Sequence, residues 1–421
     1  MLHILVANVG STSLKYKLVT VRLPTSSPAS PSNQAQYSYS TLAAGAIERI
    51  GMPGGKAIVE HVRPDARGQM QTFTSEVVEP SYASAIDLML RSLTESPLGV
   101  LENLAALDAI GFKAVHGGIY RQPIIVTPEV LAEMERLIPA APAHNPPYIR
   151  AMRLFQEIAP QTPLVAVWET TFHATMPEYA RVYSVPYSWK QDYGIEHYGF
   201  HGASHRYVSR RIAELAPGPS PLRVISCHLG GSSSVCAIRD GQSIDTSMGF
   251  SPQSGLPQTK RTGDLDPFIL LWLLEQGKFT PQELNTIFNT QSGLAGISGT
   301  SGDMRDLLAA AATGNDRAHL AIEAFCYALV KTIGSYYVVL GGLDRLLFTG
   351  GIGEKGATIR NRVVQSLSCL GLSLDEERNA TAIQQEILIS SQQSSAQVWV
   401  VPTDENLIVA EETVKALTSQ T

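Results

Sequence analysis

Apolar runs of strand length alternate along the chain with stretches whose apolar positions recur at helical spacing. The first pattern is Leu2–Val19, L-H-I-L-V-A-N-V-G-S-T-S-L-K-Y-K-L-V, two apolar runs around Gly10-Ser11-Thr12-Ser13, which predicts a β-hairpin. Val224–Ile238, V-I-S-C-H-L-G-G-S-S-S-V-C-A-I, echoes it in the second half. Small residues at such turns let backbone N–H groups face outward, and serines add hydroxyl donors. Each turn can therefore cradle an anion, phosphate above all, with an ordinary hairpin turn as the plain alternative. The echo predicts a duplicated architecture with two phosphate-facing hairpins.

Between and beyond the hairpins the pattern keeps alternating. Pro24–Ser40 is rich in Pro, Ser and Gln, too polar to pack a core, and predicts a long exposed loop. Helical spacing returns at Ser81–Ser96, and Ala106–His116 predicts a strand ending at Gly117-Gly118. Thr127-Pro128-Glu129 is a helix start, with a capping residue, proline in the first turn and an early acid. Ala141–Pro147, A-P-A-H-N-P-P, is expected to be a stiff loop carrying His144 and Asn145, because its prolines exclude regular structure. Pro163–Trp168 predicts a buried strand running into Glu169–His173, where a change of domain is expected. Tyr207–Leu215 predicts a helix, Asp240-Gly241 a tight turn, and Asp245–Pro267 a long glycine-punctuated loop. Helices follow near Pro267–Gln276 and Pro281–Asn289, from Ser301–Arg305, and over Ala318–Leu340, the longest and most apolar. Arg345–Phe348 predicts a strand, Gly351–Gly356 a glycine loop, Ala357 the start of a helix, Gln397–Val401 a last strand, and the chain closes on a helix. The sum is an α/β protein with mixed sheets.

Length of 421 residues favours two domains with a full-sized core. The net charge of −6 implies no bulk attraction to nucleic acid, so an anionic substrate must be met by local cations. The four cysteines, Cys227, Cys236, Cys326 and Cys369, show no C-x-x-C spacing and read as reduced thiols. The N-terminal apolar run is short and lacks a basic flank, and no run approaches the roughly 20 residues of a membrane span. A cytoplasmic protein with no membrane or nucleic-acid partner is expected.

Several chemistries compete for the motifs. Gly351–Gly356 matches G-x-G-x-x-G with Asp375 downstream, so an NAD-binding oxidoreductase is an alternative. That fingerprint belongs at the first βαβ unit of a domain and leaves both Gly/Ser hairpins unexplained. The same stretch nearly matches a Walker A loop, but Ala357 stands where lysine is required. His201 and His205 are four apart, as zinc ligands on a helix would be, yet no Glu follows His201. A Ser–His–Asp triad lacks its G-x-S-x-G.

The motif set resembles the acetate kinase family, within the acetate and sugar kinase/Hsc70/actin superfamily. It comprises N-V-G-S-T-S-L-K at Asn8–Lys15, V-H-G-G at Val115–Gly118, H-N-P-P at His144–Pro147, T-F-H-A-T-M-P at Thr171–Pro177 and Y-G-F-H-G-A-S-H at Tyr198–His205. C-H-L-G at Cys227–Gly230, D-T-S-M-G-F-S-P at Asp245–Pro252, F-T-G-G-I-G-E at Phe348–Glu354 and P-T-D-E-N at Pro402–Asn406 complete it, in the family's order. The resemblance implies two duplicated actin-like ATPase (ribonuclease H-like) domains with a nucleotide cleft between them, one of residues 1–172 plus 406–421 and one of residues 173–405. It implies a homodimer, and transfer of the γ-phosphoryl of ATP to a short-chain carboxylate, giving ADP and an acyl phosphate, with Mg²⁺ (Mn²⁺ as substitute). Asn8 and Glu405 would hold the metal, and Lys15, Ser11 and Ser13 would meet phosphate. His201 and Arg261 would stabilise the transferring phosphoryl, with Glu169 the third catalytic residue. Lys113 and His144 would position the acceptor in a pocket walled by Val115, Ala143, Phe200 and Pro252. His228, Leu229, Gly230, Gly231 and Ser232 would embrace the β/γ-phosphates. Asp303, Met304 and Arg305, with Gly351, Ile352, Gly353, Glu354 and Lys355, would hold the adenosine part. His116, His173 and His205 read as structural.

The chain departs from the family's pattern inside the site. Lys113 stands for an arginine, Glu169 for an aspartate, Gly231 for an asparagine, Ser232 for a glycine, Lys355 for an asparagine, and Gln258-Thr259-Lys260-Arg261 for M-G-T-R. Lys113 and Glu169 are expected to face each other, the longer acid offsetting lysine's different reach. Ala143 stands for a leucine, which enlarges the acyl pocket. A nucleotide-binding paralogue with weak or regulatory activity is the alternative that these changes leave open.

Overall fold

The computed structural model describes residues 1–10, 12–22, 37–51, 56–65, 67–78 and 81–419. Ser11, residues 24–36 of the expected loop, and the last two residues lie outside them. The chain divides into two compact units, residues 1–171 with 405–421 and residues 172–404. Glu405 thereby joins the first unit, as the opening residue of the helix Glu405–Thr418.

Unit 1 is built on an eight-stranded sheet. Its strands are β1 (Leu2–Val9), β2 (Ser13–Arg22), β3 (Ser38–Glu48), β4 (Lys56–Pro64), β5 (Met70–Val78), β6 (Ala109–Ala114), β7 (Ile124–Ile125) and β8 (Leu164–Trp168). They are ordered β5-β4-β3-β2-β1-β6-β8-β7, with β1, β6 and β8 parallel and β1 to β5 an antiparallel meander. Successive side chains of β1 serve both faces, as the period of two demands. Leu5 and Ala7 join the core with Phe112 and with the helices Tyr82–Thr94, Pro128–Arg136 and Asn145–Ile158. Ile4 and Val6 meet Val409 and Val414 of the terminal helix on the other face.

Two expectations need correcting here. Ser38–Ser40 are not loop but the start of β3. Asn145, Pro146 and Pro147 are not loop either, but the first turn of the helix Asn145–Ile158. Proline is tolerated there because the first-turn N–H groups have no intrahelical partner.

Unit 2 repeats the plan: β9 (Arg223–Leu229), β10 (Ser233–Arg239), β11 (Gln242–Thr246), β12 (Arg345–Thr349), β13 (Ile387–Leu388) and β14 (Gln397–Val400) form a sheet ordered β11-β10-β9-β12-β14-β13. The hairpin strand β9 runs parallel to β12, and β12 to β14, as β1 does to β6 and β6 to β8. The helix Asp316–Leu340 buries Ile322, Phe325, Leu329 and Ile333 against this sheet. The helix predicted from Tyr207 begins earlier, at Gly202, and the predicted glycine loop is a short helix, Gly350–Lys355.

Candidate active site

In unit 1 the polar residues of interest sit at the carboxyl ends of parallel strands, where open α/β sheets bind ligands. Asn8 lies near the end of β1, Lys113 near the end of β6, and Glu169 just after β8, its N–H donating to Ala114 O at 2.8 Å. The Lys113 ammonium is 3.7 Å from Glu169 Oε1 and donates a short hydrogen bond to Glu405 Oε2. The expected facing of Lys113 and Glu169 is thus present, with Glu405 as a second anion that sequence reasoning had reserved for metal. Burial pulls the Lys113 pKa down, but the Glu169 and Glu405 carboxylates outweigh it and leave it raised.

Tyr148 completes this cluster and had no assigned role. It is buried, accepts from Val9 N–H at 3.2 Å and donates to Asn8 Oδ1 at 3.0 Å. Burial is the main cause of its raised pKa. The tyrosine on the helix Asn145–Ile158 was legible only once that helix was known. Asn145 anchors the helix start, donating to His116 O at 3.2 Å and Met134 O at 2.9 Å. Gly117 must be glycine, because a Cβ there would fall 2.4 Å from the Trp168 ring. His144 is the residue before that helix, Val115 is half-buried and Ala143 is exposed. Lys15 lies on β2, exposed, 3.7 Å from Glu48, and Ser13 opens the same strand.

In unit 2 the hairpin β9–β10 carries a histidine group. His201 sits just before the helix Gly202–Leu215 with φ +57°, a left-handed backbone that a bulky residue adopts only under constraint. Its ring stacks on His228 at 4.2 Å, and its Nδ1 is 2.8 Å from Ser234 Oγ. Both nitrogens of buried His205 meet serines, Ser226 at 2.9 Å and Ser234 at 2.8 Å. His173 is buried too, which pushes its pKa down to about 4.

The hairpin turn differs from the expected cradle. Gly230 N–H turns inward to Ser232 O at 3.1 Å, Ser232 donates to Gln258 Oε1 at 2.7 Å, and Ser233 and Ser234 are buried. The serines here order neighbours. Leu229 is likewise a core side chain. Thr259, through its N–H at 3.2 Å and its hydroxyl at 2.8 Å, is tied to Gly231 O, which fastens the 258–261 turn carrying Arg261 to the hairpin. Phe200 and Pro252 are buried in this unit.

The expected adenosine residues divide. Met304 is buried in the unit 2 core. Asp303 caps the helix Met304–Ala312 and is gripped by Arg305 at 2.7 Å, which holds its carboxyl down at about 2. Gly350, φ +75°, packs against Leu229, where a Cβ would come within 2.7 Å of the backbone oxygen. Glu354 accepts from Gly350 N–H at 3.0 Å, and Gly353 O accepts from buried Arg360 at 2.7 Å. Gly351 and Lys355 are exposed and Ile352 half-buried.

The profile of the acetokinase family matches residues 3–411. The chain belongs to the acetokinase family. Acetate kinase from Dictyoglomus turgidum is 41% identical over 418 residues, covering 99% of this chain and 98% of that one. Acetate kinase from Carboxydothermus hydrogenoformans is 39% identical over 421 residues, the whole of both. Among solved structures, a propionate kinase from Francisella tularensis aligns with TM-score 0.83 at 34% identity, covering 98% of this chain and 99% of that one. Porphyromonas gingivalis acetate kinase aligns with TM-score 0.81 at 34% identity, over 99% and 100%. The fold is the duplicated actin-like ATPase fold. This acetokinase-family chain is an acetate kinase-type phosphotransferase, an acyl kinase that uses ATP/ADP and Mg²⁺.

Proposed function

We propose that the protein transfers the γ-phosphoryl of ATP reversibly to a short-chain carboxylate, and that Lys113 meets the acceptor carboxylate while His201 and Arg261 meet the phosphoryl group. The observation that carries this reading is the convergence of Asn8, Lys113, Tyr148, Glu169 and Glu405 at the carboxyl ends of the parallel strands of unit 1. Phosphoryl transfer needs positioning and charge neutralisation, and a buried cation among anions supplies both. Glu169 orients the ammonium. Tyr148 fixes the Asn8 amide oxygen. Asn8 and Glu405 offer the hard oxygens that magnesium takes, and would hold it. Bound there, the metal supplies charge neutralisation for phosphate oxygens. Ser13, Lys15, Gly231, Gly351 and Lys355 remain the phosphate- and nucleotide-facing candidates, and His144 helps place the acceptor. The regulatory-paralogue and NAD readings lose their support, since the charged set is retained and the family match, with acetate kinases as relatives, runs along nearly the whole chain.

The acid accepted is proposed to be larger than acetate. Ala143 lacks three carbons of the leucine in the family pattern, and each buried methylene contributes about 0.8 kcal/mol. Propionate or butyrate is expected to serve at least as well as acetate when acyl phosphate is trapped with hydroxylamine. Ala143→Leu is expected to move preference toward acetate by roughly tenfold or more. A strong acetate preference in the wild type, unmoved by Ala143→Leu, refutes the larger pocket, and no acyl phosphate with any acid refutes the kinase reading.

The protein is further proposed to be a homodimer of the cytoplasm. The helix Pro267–Glu275, P-F-I-L-L-W-L-L-E, buries none of its residues, leaving Phe268 and Trp272 72% and 57% exposed. An apolar patch of this kind marks an interface. Sedimentation is expected to show a dimer that Trp272→Glu weakens; an unaltered dimer would point to another face. The described cysteines form no disulfide, which suits a reducing compartment, and cell fractionation tests it.

A further inference from the structure

The histidines of unit 2 are embedded in serines, and the hydrogens can be counted. A hydroxyl has one hydrogen, and a neutral imidazole has one N–H. Ser226 is wholly buried, and among the described residues its hydroxyl meets one group, His205 Nδ1 at 2.9 Å. If Ser226 only accepted there, its own hydrogen would be buried without an acceptor, which is costly. Ser226 therefore donates, and His205 carries its proton on Nε2. That N–H points to Ser234 Oγ at 2.8 Å, so Ser234 spends its single hydrogen on His201 Nδ1, also at 2.8 Å. The proton of neutral His201 is then on Nε2. Wholly buried Ser204 likewise ends on His228 Nδ1 at 2.8 Å, leaving the His228 proton on Nε2.

We infer that Ser226, His205 and Ser234 are positioning residues, a relay that fixes His201 as a neutral Nε2–H donor, while Ser204 does the same for the stacked His228. The two rings lie 25° from parallel, so they present a pair of N–H donors side by side. Burial keeps His205 far below the ordinary histidine range, which holds the centre of the relay neutral. A neutral N–H stabilises developing oxyanion charge without a proton changing hands. The use of this pair in phosphoryl transfer rests on the proposed function; the tautomers themselves do not.

The test uses the full chain labelled with ¹⁵N-histidine, whose long-range ¹H–¹⁵N spectra distinguish the two tautomers and the imidazolium. His201 and His228 are expected to be neutral and protonated on Nε2 at pH 7.5. In Ser234→Ala, which removes the hydroxyl that donates to His201 Nδ1, part of His201 is expected to shift to the Nδ1–H form, with kcat falling about tenfold and the KM for ATP within about twofold. That loss stays short of the roughly 10²–10³ seen when a donor is removed outright. Ser243→Ala is the control. Its partner His173 also donates Nε2–H to Phe200 O at 2.9 Å, a carbonyl that can only accept, so that change is expected to leave His201 unaltered. A wild-type His201 or His205 protonated on Nδ1, or a His201 spectrum unchanged in Ser234→Ala, overturns the relay. If the tautomers are as assigned and no carboxylate is phosphorylated, the relay stands and the proposed function falls.

Discussion

Lys113→Met is expected to lower stability by about 3–5 kcal/mol, read as a lower urea midpoint, and kcat/KM for the carboxylate by roughly tenfold to a hundredfold. The stability loss does not come from a lost contact alone. Lys113 stands between Glu169 and Glu405, whose side chains are 6% and 18% exposed, and its removal strands two carboxylates with little water to solvate them. The carboxylates then take up protons more readily, so the deficit is expected to shrink as the pH falls into the carboxylate range. Adding Glu169→Gln removes one stranded charge and is expected to recover part of the loss, with a coupling above about 1 kcal/mol in the double-mutant cycle. The same coupling predicts that Lys113→Arg helps activity less alone than together with Glu169→Asp. Strict additivity in either cycle would show that the two side chains act independently.

Arg261→Ala is expected to lower kcat by about 10³-fold, equivalent to ~4 kcal/mol, while the ATP dissociation constant changes by less than about threefold. The split follows from where the charge is needed. A guanidinium aimed at a transferring phosphoryl gains most when negative charge spreads over its oxygens, and ground-state affinity gains little. The backbone that presents it is over-determined: Gln258 N–H donates to Arg261 O at 3.1 Å, and Leu294 and Ala295 donate to Gln258 and Thr259. Truncating the side chain should therefore leave the turn in place. Calorimetric ATP binding beside steady-state kinetics separates the two quantities, and a wild-type kcat in Arg261→Ala would remove Arg261 from the chemistry.

Both hairpins and most helix starts were legible because their causes are local. Thr127 caps the helix Pro128–Arg136 and Asp303 caps Met304–Ala312, each through a hydrogen bond spanning two or three residues. The same local rules misled at Ala141–Pro147, where prolines that break a helix interior instead occupy a helix's first turn. They also missed β4 and β5, the latter with mostly exposed polar residues whose pairing comes from the meander and not from a buried face. The Gly/Ser turn was read for its residue types, but the direction of the Ser232 hydroxyl depends on Gln258, a neighbour brought by the fold.

The sequence by itself determined the α/β pattern, the duplication, the family and the identities of the charged residues in its motifs. Backbone sterics, capping and side-chain periodicity act over a few positions, so they can be read in order along the chain. Tertiary structure alone decided which groups pair. Lys113 and Glu405 are 292 positions apart and meet because the terminal helix opens beside the carboxyl ends of β1 and β6. His205, which looked structural, stands in line behind His201 because β9 and β10 set Ser226 and Ser234 on either side of it. Electrostatic partners and tautomers are fixed by strand register and burial, and those exist only once the sheets are formed.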